Sequence, residues 1–311
     1  LALLEAGVDP DERVVCTGGY RFGSRTFRCW KPGGHGPVNM HDAIKTSCDV
    51  YFYHMCNRAG VDKIQEVGKK IGFMQTYDIG VGNQKAGSIP SRAWKANYNK
   101  NNPNPDSRTW YPGETLSVAI GQGDVNVTAL QLAVTTARFA NARKAIMPRL
   151  IKSVGGVDQP SGAAVPDLPF PPEHLEIVRQ GMVAVANDVG GGAYRQSQLG
   201  LGDIKMAGKT GTAQVRNYGT GSRKSADVTW ALKDHNLFVA FAPVDEPRYA
   251  IAVIIEHGGL AGSTAAAPRA REIMRTVLLK DPDMVARMTR PPPPEPTASA
   301  ETAELEGAAP P

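Results

Sequence analysis

Two apolar runs, Asn236 to Val244 and Arg248 to Glu256, are separated only by Asp245-Glu246-Pro247. β-branched and aromatic residues on both sides of a three-residue turn predict an antiparallel hairpin, which must bury a face against something else to be stable. A third candidate strand, Lys205 to Val215, precedes it. Upstream, Val38 to Asn57 reads as one helix closed by Ala59-Gly60, and Val61, Ile64, Val67 and Ile71 mark a second that Gly72 ends. Thr128 to Asn141 carries Leu130, Val134 and Ala137 on one face. Pro171-Pro172-Glu173 opens another helix, with Leu175, Val178, Met182 and Val185 as its apolar stripe. Ala265 to Leu279 is the last predicted helix. Helices, then strands, then a helix predict an α/β domain with a largely antiparallel sheet flanked by helices.

Glycine and proline, 33 and 24 of 311 residues, exceed their usual share of roughly 12%. They gather in the first thirty-odd residues, read as loops and short strands, and in 76–115, read as one long loop. With 41% hydrophobic residues the chain can bury a core, and no run of about 18 apolar residues is present to span a membrane. Residues 1–290 read as one domain and 291–311, rich in Pro, Ala and Glu, as a disordered tail. The net charge is +5, and that tail holds Glu295, Glu301, Glu304 and Glu306 with no Lys or Arg, so the body is more basic still. Its longest basic clusters are pairs such as Lys69-Lys70 and Arg223-Lys224, without interleaved aromatics. That argues against nucleic acid and suits an anionic substrate or an anionic membrane face. No H-E-x-x-H occurs, and His41, His54, His174, His235 and His257 lack ligand spacing, which sets aside a metal-dependent peptidase.

Chemistry concentrates in two short stretches. Lys209-Thr210-Gly211-Thr212 lies on the candidate strand. An ammonium and a hydroxyl there can bind a carboxylate, the glycine lets a substrate backbone come close, and a following N–H can point at an oxyanion. Alone, Lys-Thr-Gly is equally a strand end reaching a turn. Ser47-Cys48-Asp49 falls inside the predicted helix 38–57. A hydroxyl followed two residues later by a carboxylate fits a site where Ser47 relays a proton and Asp49 positions polar groups. The plain alternative is a helix junction capped by Ser47 or Asp49.

Together these stretches resemble two of the three motifs of the penicillin-interacting enzymes, S-x-x-K, S-x-N or S-x-D, and K-T-G. Arg28-Cys29-Trp30-Lys31 with Gly34-His35-Gly36, Ser91-Arg92-Ala93-Trp94-Lys95 and Trp110-Tyr111-Pro112-Gly113-Glu114-Thr115 extend the likeness. So do Gly121-Gln122-Gly123, Ala242-Pro243 and Glu256-His257-Gly258-Gly259. From about Leu1 to Leu279 the chain resembles the class B penicillin-binding proteins of the elongation type. The resemblance implies the transpeptidase fold shared by penicillin-binding proteins and serine β-lactamases. It also implies a serine-type D-Ala-D-Ala transpeptidase, of the transpeptidase/carboxypeptidase family, acting in peptidoglycan biosynthesis and cell shape. Its expected partners are stem peptides ending in D-Ala-D-Ala, β-lactams, and a cell-elongation machinery that includes a glycosyltransferase. Its expected place is the periplasmic side of the bacterial inner membrane. The resemblance gives Ser47 the proton shuttle to the leaving amine, and Lys209 with Thr210 the terminal carboxylate. Gly211 gives close approach, and the Thr212 N–H half of an oxyanion hole. A serine β-lactamase or a β-lactam sensor domain would share much of this; the former lacks an obvious deacylation base here.

Two departures matter. No Ser in the chain has a Lys three residues later, and in the family S-x-x-K lies just before the segment that Leu1 to Gly7 resembles. The chain begins at Leu1 rather than Met, so the nucleophile, the membrane anchor and a pedestal domain are expected upstream, and this stretch alone is expected to be inactive. Asp49 stands where Asn is commoner; an ionised carboxylate only accepts hydrogen bonds, which favours pairing with the absent motif lysine.

The cysteines are Cys16, Cys29, Cys48 and Cys56. Three of them bracket His35 as C-x12-C-x5-H-x12-C, a set of donors suited to a closed tetrahedral Cys3His site for structural Zn2+. The resemblance adds that related elongation enzymes hold a metal at this place. A Cys16–Cys29 disulfide, natural in an oxidising compartment, is the competing reading, with Cys48 buried and inert. Cys56 shares a helical face with Phe52 and reads as core.

Overall fold

The structure, a computed structural model, describes residues 1–159, 165–215, 229–259 and 261–290. The predicted disordered tail, 291–311, lies outside the described residues. The chain opens with four short strands, β1 (Val14–Cys16), β2 (Gly19–Phe22), β3 (Arg25–Arg28) and β4 (Gly36–Val38). β1 pairs antiparallel with β4, placing Cys16 opposite Gly36, and β2 with β3 as a hairpin. Helices α1 (Met40–Thr46), α2 (Asp49–Ala59), α3 (Val61–Ile71), α4 (Arg92–Tyr98), α5 (Pro112–Ala119) and α6 (Ala129–Asn141) follow. After a small hairpin of β5 (Ser153–Val154) and β6 (Val157–Asp158) comes α7 (Pro172–Asn187). β7 (Ala207–Ala213), β8 (His235–Ala242) and β9 (Tyr249–Ile255) then form an antiparallel sheet in that order, and α8 (Gly262–Lys280) and α9 (Pro282–Thr289) end the described chain.

The sheet is buried on both faces, and period-2 alternation sorts its side chains. Phe238, Ala240 and Ala242 of β8 pack with Ala266, Ala267, Ala270, Met274 and Leu278 of α8. Val239 and Phe241, between them, face Ala140 of α6 and Met182 and Val183 of α7. The small residues of α8 let the helix lie close on the strands. Within the sheet the fit is equally tight at Gly208 of β7: a Cβ there would stand 2.5 Å from the Val239 carbonyl oxygen and 2.6 Å from Phe238 Cζ of β8. Gly208→Ala is therefore expected to destabilise the domain by about 2 kcal/mol, the usual scale of overpacking. Chemical denaturation that finds the variant within about 0.5 kcal/mol of the parent, the range of neutral surface changes, would contradict this close fit.

Three sequence expectations need correction. The single helix 38–57 is two helices: Ser47 adopts the left-handed conformation (φ 53, ψ 51) as the C-cap of α1, and Cys48 is extended. Such a conformation costs a residue with a Cβ about 1–2 kcal/mol; here the Ser47 N–H still reaches the Ala43 and Ile44 carbonyls. The long loop 76–115 contains α4 and the start of α5. Ser91 caps α4 by accepting from the Trp94 N–H, and Pro112 opens α5 with Glu114 bonded back to the Tyr111 N–H, so local capping overrides the loop-like composition. Helix α8 begins three residues before Ala265, and α9 was not foreseen; Asp281 caps it, accepting from the Asp283 and Met284 N–H groups.

Candidate active site

Lys209 and Val239 are directly opposed across β7 and β8, so Lys209 shares the sheet face that packs on α7. Helix α1 packs against that same α7, with Ile44 over Gly181, where any side chain would collide with it. The end of α1 is tied down further: Gly192 N–H donates to the Lys45 carbonyl at 2.9 Å, and Lys45 pairs with Asp188 at 3.4 Å. Ser47, at the α1–α2 break, therefore projects at the strand. Lys209 Nζ donates to Ser47 Oγ, and also lies 3.1 Å from the Thr210 carbonyl oxygen and 3.4 Å from Thr210 Oγ1. Ser47 Oγ and Thr210 Oγ1 are 3.5 Å apart. Two stretches separated by 162 residues of chain meet at one point.

That point lies in a cleft of about 310 Å³ lined by Ser47, Asp49, Lys209, Thr210, Gly211 and Thr212, all six expected site residues. Burial pushes the Lys209 ammonium down to about 8, against the pull of Asp49. Burial likewise pushes the Asp49 carboxyl up to about 7, with the Cys29 thiolate adding to the effect. Asp49 Oδ2 accepts from the Trp30 N–H at 2.9 Å. Gly211 has a structural partner: a Cβ at Gly262 would fall 2.6 Å from the Gly211 carbonyl oxygen, so two glycines let the start of α8 press on the strand.

The sequence did not assign a role to Gln122, whose carboxamide clasps the edge of β7. Its Nε2 donates to the Thr212 carbonyl and its Oε1 accepts from the Gln214 N–H at 3.2 Å. In an antiparallel strand the N–H and C=O of one residue face the same side. The Thr212 N–H thus belongs to the outer edge of β7, away from β8. Trp30 was also missed as a cleft residue; its indole N–H donates to the Thr46 carbonyl at 3.0 Å and its ring stands edge-on to His35. Neither had a sequence signal beyond its place in a family-like stretch.

Behind Trp30 lies the cysteine cluster. Cys16 ends β1, Cys29 follows β3, His35 precedes β4, and Cys48 joins α1 to α2. Their ligand atoms all lie within 4.8 Å of one another, and the three thiols are buried. Zn–S near 2.3 Å and Zn–N near 2.0–2.1 Å at tetrahedral angles require an S···N edge of about 3.5–3.6 Å. His35 Nδ1 is 3.6 Å from Cys16 Sγ and 3.5 Å from Cys29 Sγ. The donor set fits zinc. A proton on the buried Nε2 of His35 would leave Nδ1 free to ligate. All four cysteines are unbridged, Cys56 lying apart in the core. The Cys29 thiol is held down to about 4, with the Cys48 S–H donating to it; the same pairing raises Cys48. Gly18 and Gly34 carry the loops between these ligands, where any Cβ would overlap the Pro32 or Cys16 carbonyl oxygen at 2.1 or 2.0 Å.

An antiparallel sheet covered by helices on both faces, with a lysine–serine cleft at the edge of one strand, defines a transpeptidase-type domain. Residues 1–275 match the family described as the penicillin binding protein transpeptidase domain, and the chain belongs to that family. It is 38% identical over 247 residues to the peptidoglycan D,D-transpeptidase MrdA of Acinetobacter baumannii, covering 78% of this chain and 35% of that protein. The chain thus spans about a third of that relative's length. The Pseudomonas aeruginosa PBP2 structure, in complex with WCK 5153, superposes with a TM-score of 0.77 at 34% identity, covering 93% of this chain and 61% of that one. The Helicobacter pylori PBP2 in complex with MreC gives 0.75 at 28% identity, over 90% and 47% of the two chains.

Proposed function

We propose that these residues belong to a peptidoglycan D,D-transpeptidase that cross-links stem peptides in cell-wall elongation and is acylated by penicillins. The observation that carries the reading is the contact of Lys209 with Ser47 beside Thr210. Residues 1–290 are its transpeptidase domain and 291–311 a tail. The nucleophile is not among the 311 residues, since no serine has the motif lysine, and the stretch alone is inactive. In the full reaction the nucleophilic serine oxygen bonds to the penultimate D-Ala carbonyl carbon. The peptide C–N bond breaks, and Ser47 passes the serine's proton to the departing amine. Lys209 and Thr210 hold the terminal carboxylate. The Thr212 N–H meets the oxyanion, and Gly211 admits the peptide against the strand. Asp49 fixes the Trp30 loop and offsets the Lys209 charge. A second peptide's amine then takes the acyl group.

Cys16, Cys29, His35 and Cys48 hold a structural zinc ion, which would supply cross-linking and no catalytic step. They tie the β1–β4 loops to the segment that carries Ser47 and Asp49. The enzyme works on the periplasmic side of the inner membrane with an elongation machinery that includes a glycosyltransferase. The solved complex of a PBP2 with MreC supports such partners. The test is turnover by a protein with a relative's S-x-x-K segment placed ahead of Leu1. A transpeptidase stays acylated by penicillin, whereas a β-lactamase releases hydrolysed drug.

The lowered Lys209 value sets a pH dependence. The ammonium is charged below about 8 and neutral above it, so affinity for a peptide ending in a carboxylate is expected to fall as pH rises through about 8. Peptide titration of the free chain between roughly pH 6.5 and 9.5, spanning the span between a depressed and an ordinary lysine, checks this. A flat profile would remove the charge of Lys209 from binding.

A further inference from the structure

We infer that Arg28 forms a second anion subsite in the cleft, and that the peptide bound there carries a carboxylate upstream of its C-terminal one; this rests on the transpeptidase reading above. Among the described residues that line the cleft, the cations are Arg28 and Lys209 and the acid is Asp49. Lys209 is already engaged with Ser47 and Thr210. The Arg28 side chain has no ion pair or hydrogen bond among the described residues. One cation is thus occupied at the strand, and the other is open, on a different element.

The hairpin turns Arg28, a lining residue of the cleft, away from the core. Tyr20 opposes Phe27 and Phe22 opposes Arg25, so these four side chains share one face, and the three aromatics pack against the core around α2. Arg28, opposite Gly19, lies on the other face together with Arg21. Its backbone is held from the next residues: Cys29 N–H donates to the Gly18 carbonyl at 3.0 Å with its sulfur in the buried cluster, and Trp30 is bonded to both Asp49 and Thr46. A freely moving surface arginine contributes little to binding because ordering it costs entropy. Arg28 has a fixed root and, among the described residues, no partner to give up. Its guanidinium is a planar fork that matches a carboxylate with two parallel hydrogen bonds. A ligand whose terminal carboxylate sits at Lys209 and whose chain runs along β7 satisfies Arg28 only if it carries another acid further up.

The experiment titrates the chain with N-acetylated peptides ending in D-Ala-D-Ala. A single side-chain carboxylate, or its amide, is placed one, two or three residues before that pair. Binding is followed by NMR. At one position the acid is expected to bind about tenfold tighter than its amide, the scale of a charge-assisted pair. Arg28→Gln should erase that gain and leave the amide peptides unchanged, while Arg28→Lys, which keeps the charge without the fork, should retain part of it. Lys209→Gln should weaken acid and amide peptides alike. Equal binding of acid and amide at every position, or a gain that survives Arg28→Gln, overturns the subsite while the Lys209 effect keeps the transpeptidase reading. Failure of every peptide to bind overturns both.

Discussion

The 311-residue chain is expected to remain unlabelled by a fluorescent penicillin, and a chimera with a relative's S-x-x-K segment ahead of Leu1 is expected to label covalently. The cleft of the chain already holds Ser47, Lys209 and Thr210 in mutual contact, but none of its serines has a lysine three residues on. A cleft without that S-x-x-K serine–lysine pair is expected to bind penicillin without being acylated. In the chimera, Lys209→Ala should slow acylation by roughly one to two orders of magnitude, the scale of about 1.5–3 kcal/mol for a lost hydrogen bond to a charged carboxylate. The Lys209 side chain reaches from the strand into the cleft rather than filling the core, so circular dichroism and melting should change little. Gel fluorescence after timed exposure reads both results. Covalent label on the 311-residue chain would reveal another nucleophile, and an unchanged rate in Lys209→Ala would take that residue out of the site.

Protein purified without chelator is expected to carry about one zinc per chain, because the site joins three thiols and an imidazole that are held together only in the folded state. Cys48→Ala should lower both metal content and stability. Cys48 is fully buried and sits at the N-cap of α2, one residue from Ser47, so its loss unpins the α1–α2 joint. A loss of about 3 kcal/mol would lower the melting temperature by roughly 6 °C or more, given about 2–4 °C per kcal/mol for a large domain. Elemental analysis and calorimetry measure the two together. Cys56→Ala, outside the cluster, should leave the metal in place. Metal-free protein with a Cys16–Cys29 disulfide in the mass spectrum would end the zinc assignment.

Much of the frame was legible in the sequence because it rests on strong local signals. The β8–β9 hairpin, α6 with its Thr128 capping box and α7 with its two opening prolines appeared close to where periodicity and turn residues placed them. The Cys3His grouping followed from donor type and spacing together with the family resemblance. The break at Ser47 was legible only as an alternative, a helix junction at Ser47 or Asp49: Ile44 and Tyr51 continue a helical apolar pattern across it, and a serine in the left-handed conformation has no sequence signature. Yet that break is what brings Ser47 Oγ to Lys209. Gln122 was equally hidden, since its function lies in two bonds to a strand 90 residues or more away. Long-range pairing of polar side chains leaves no periodicity to read.

The clasp of Gln122 on β7 also bears on how the molecule keeps its own kind at a distance. An open strand edge is a template that any extended chain can extend, including the edge of a neighbouring copy. Here a side-chain amide imitates the next strand at one end, taking the Thr212 carbonyl and the Gln214 N–H. Helix α8, pressed on Gly211 and Leu237 through Gly262, covers the neighbouring face of the sheet and leaves that edge to the clasp. With those two backbone groups already taken, a strand added along β7 is expected to stop at Thr212 rather than run on past it.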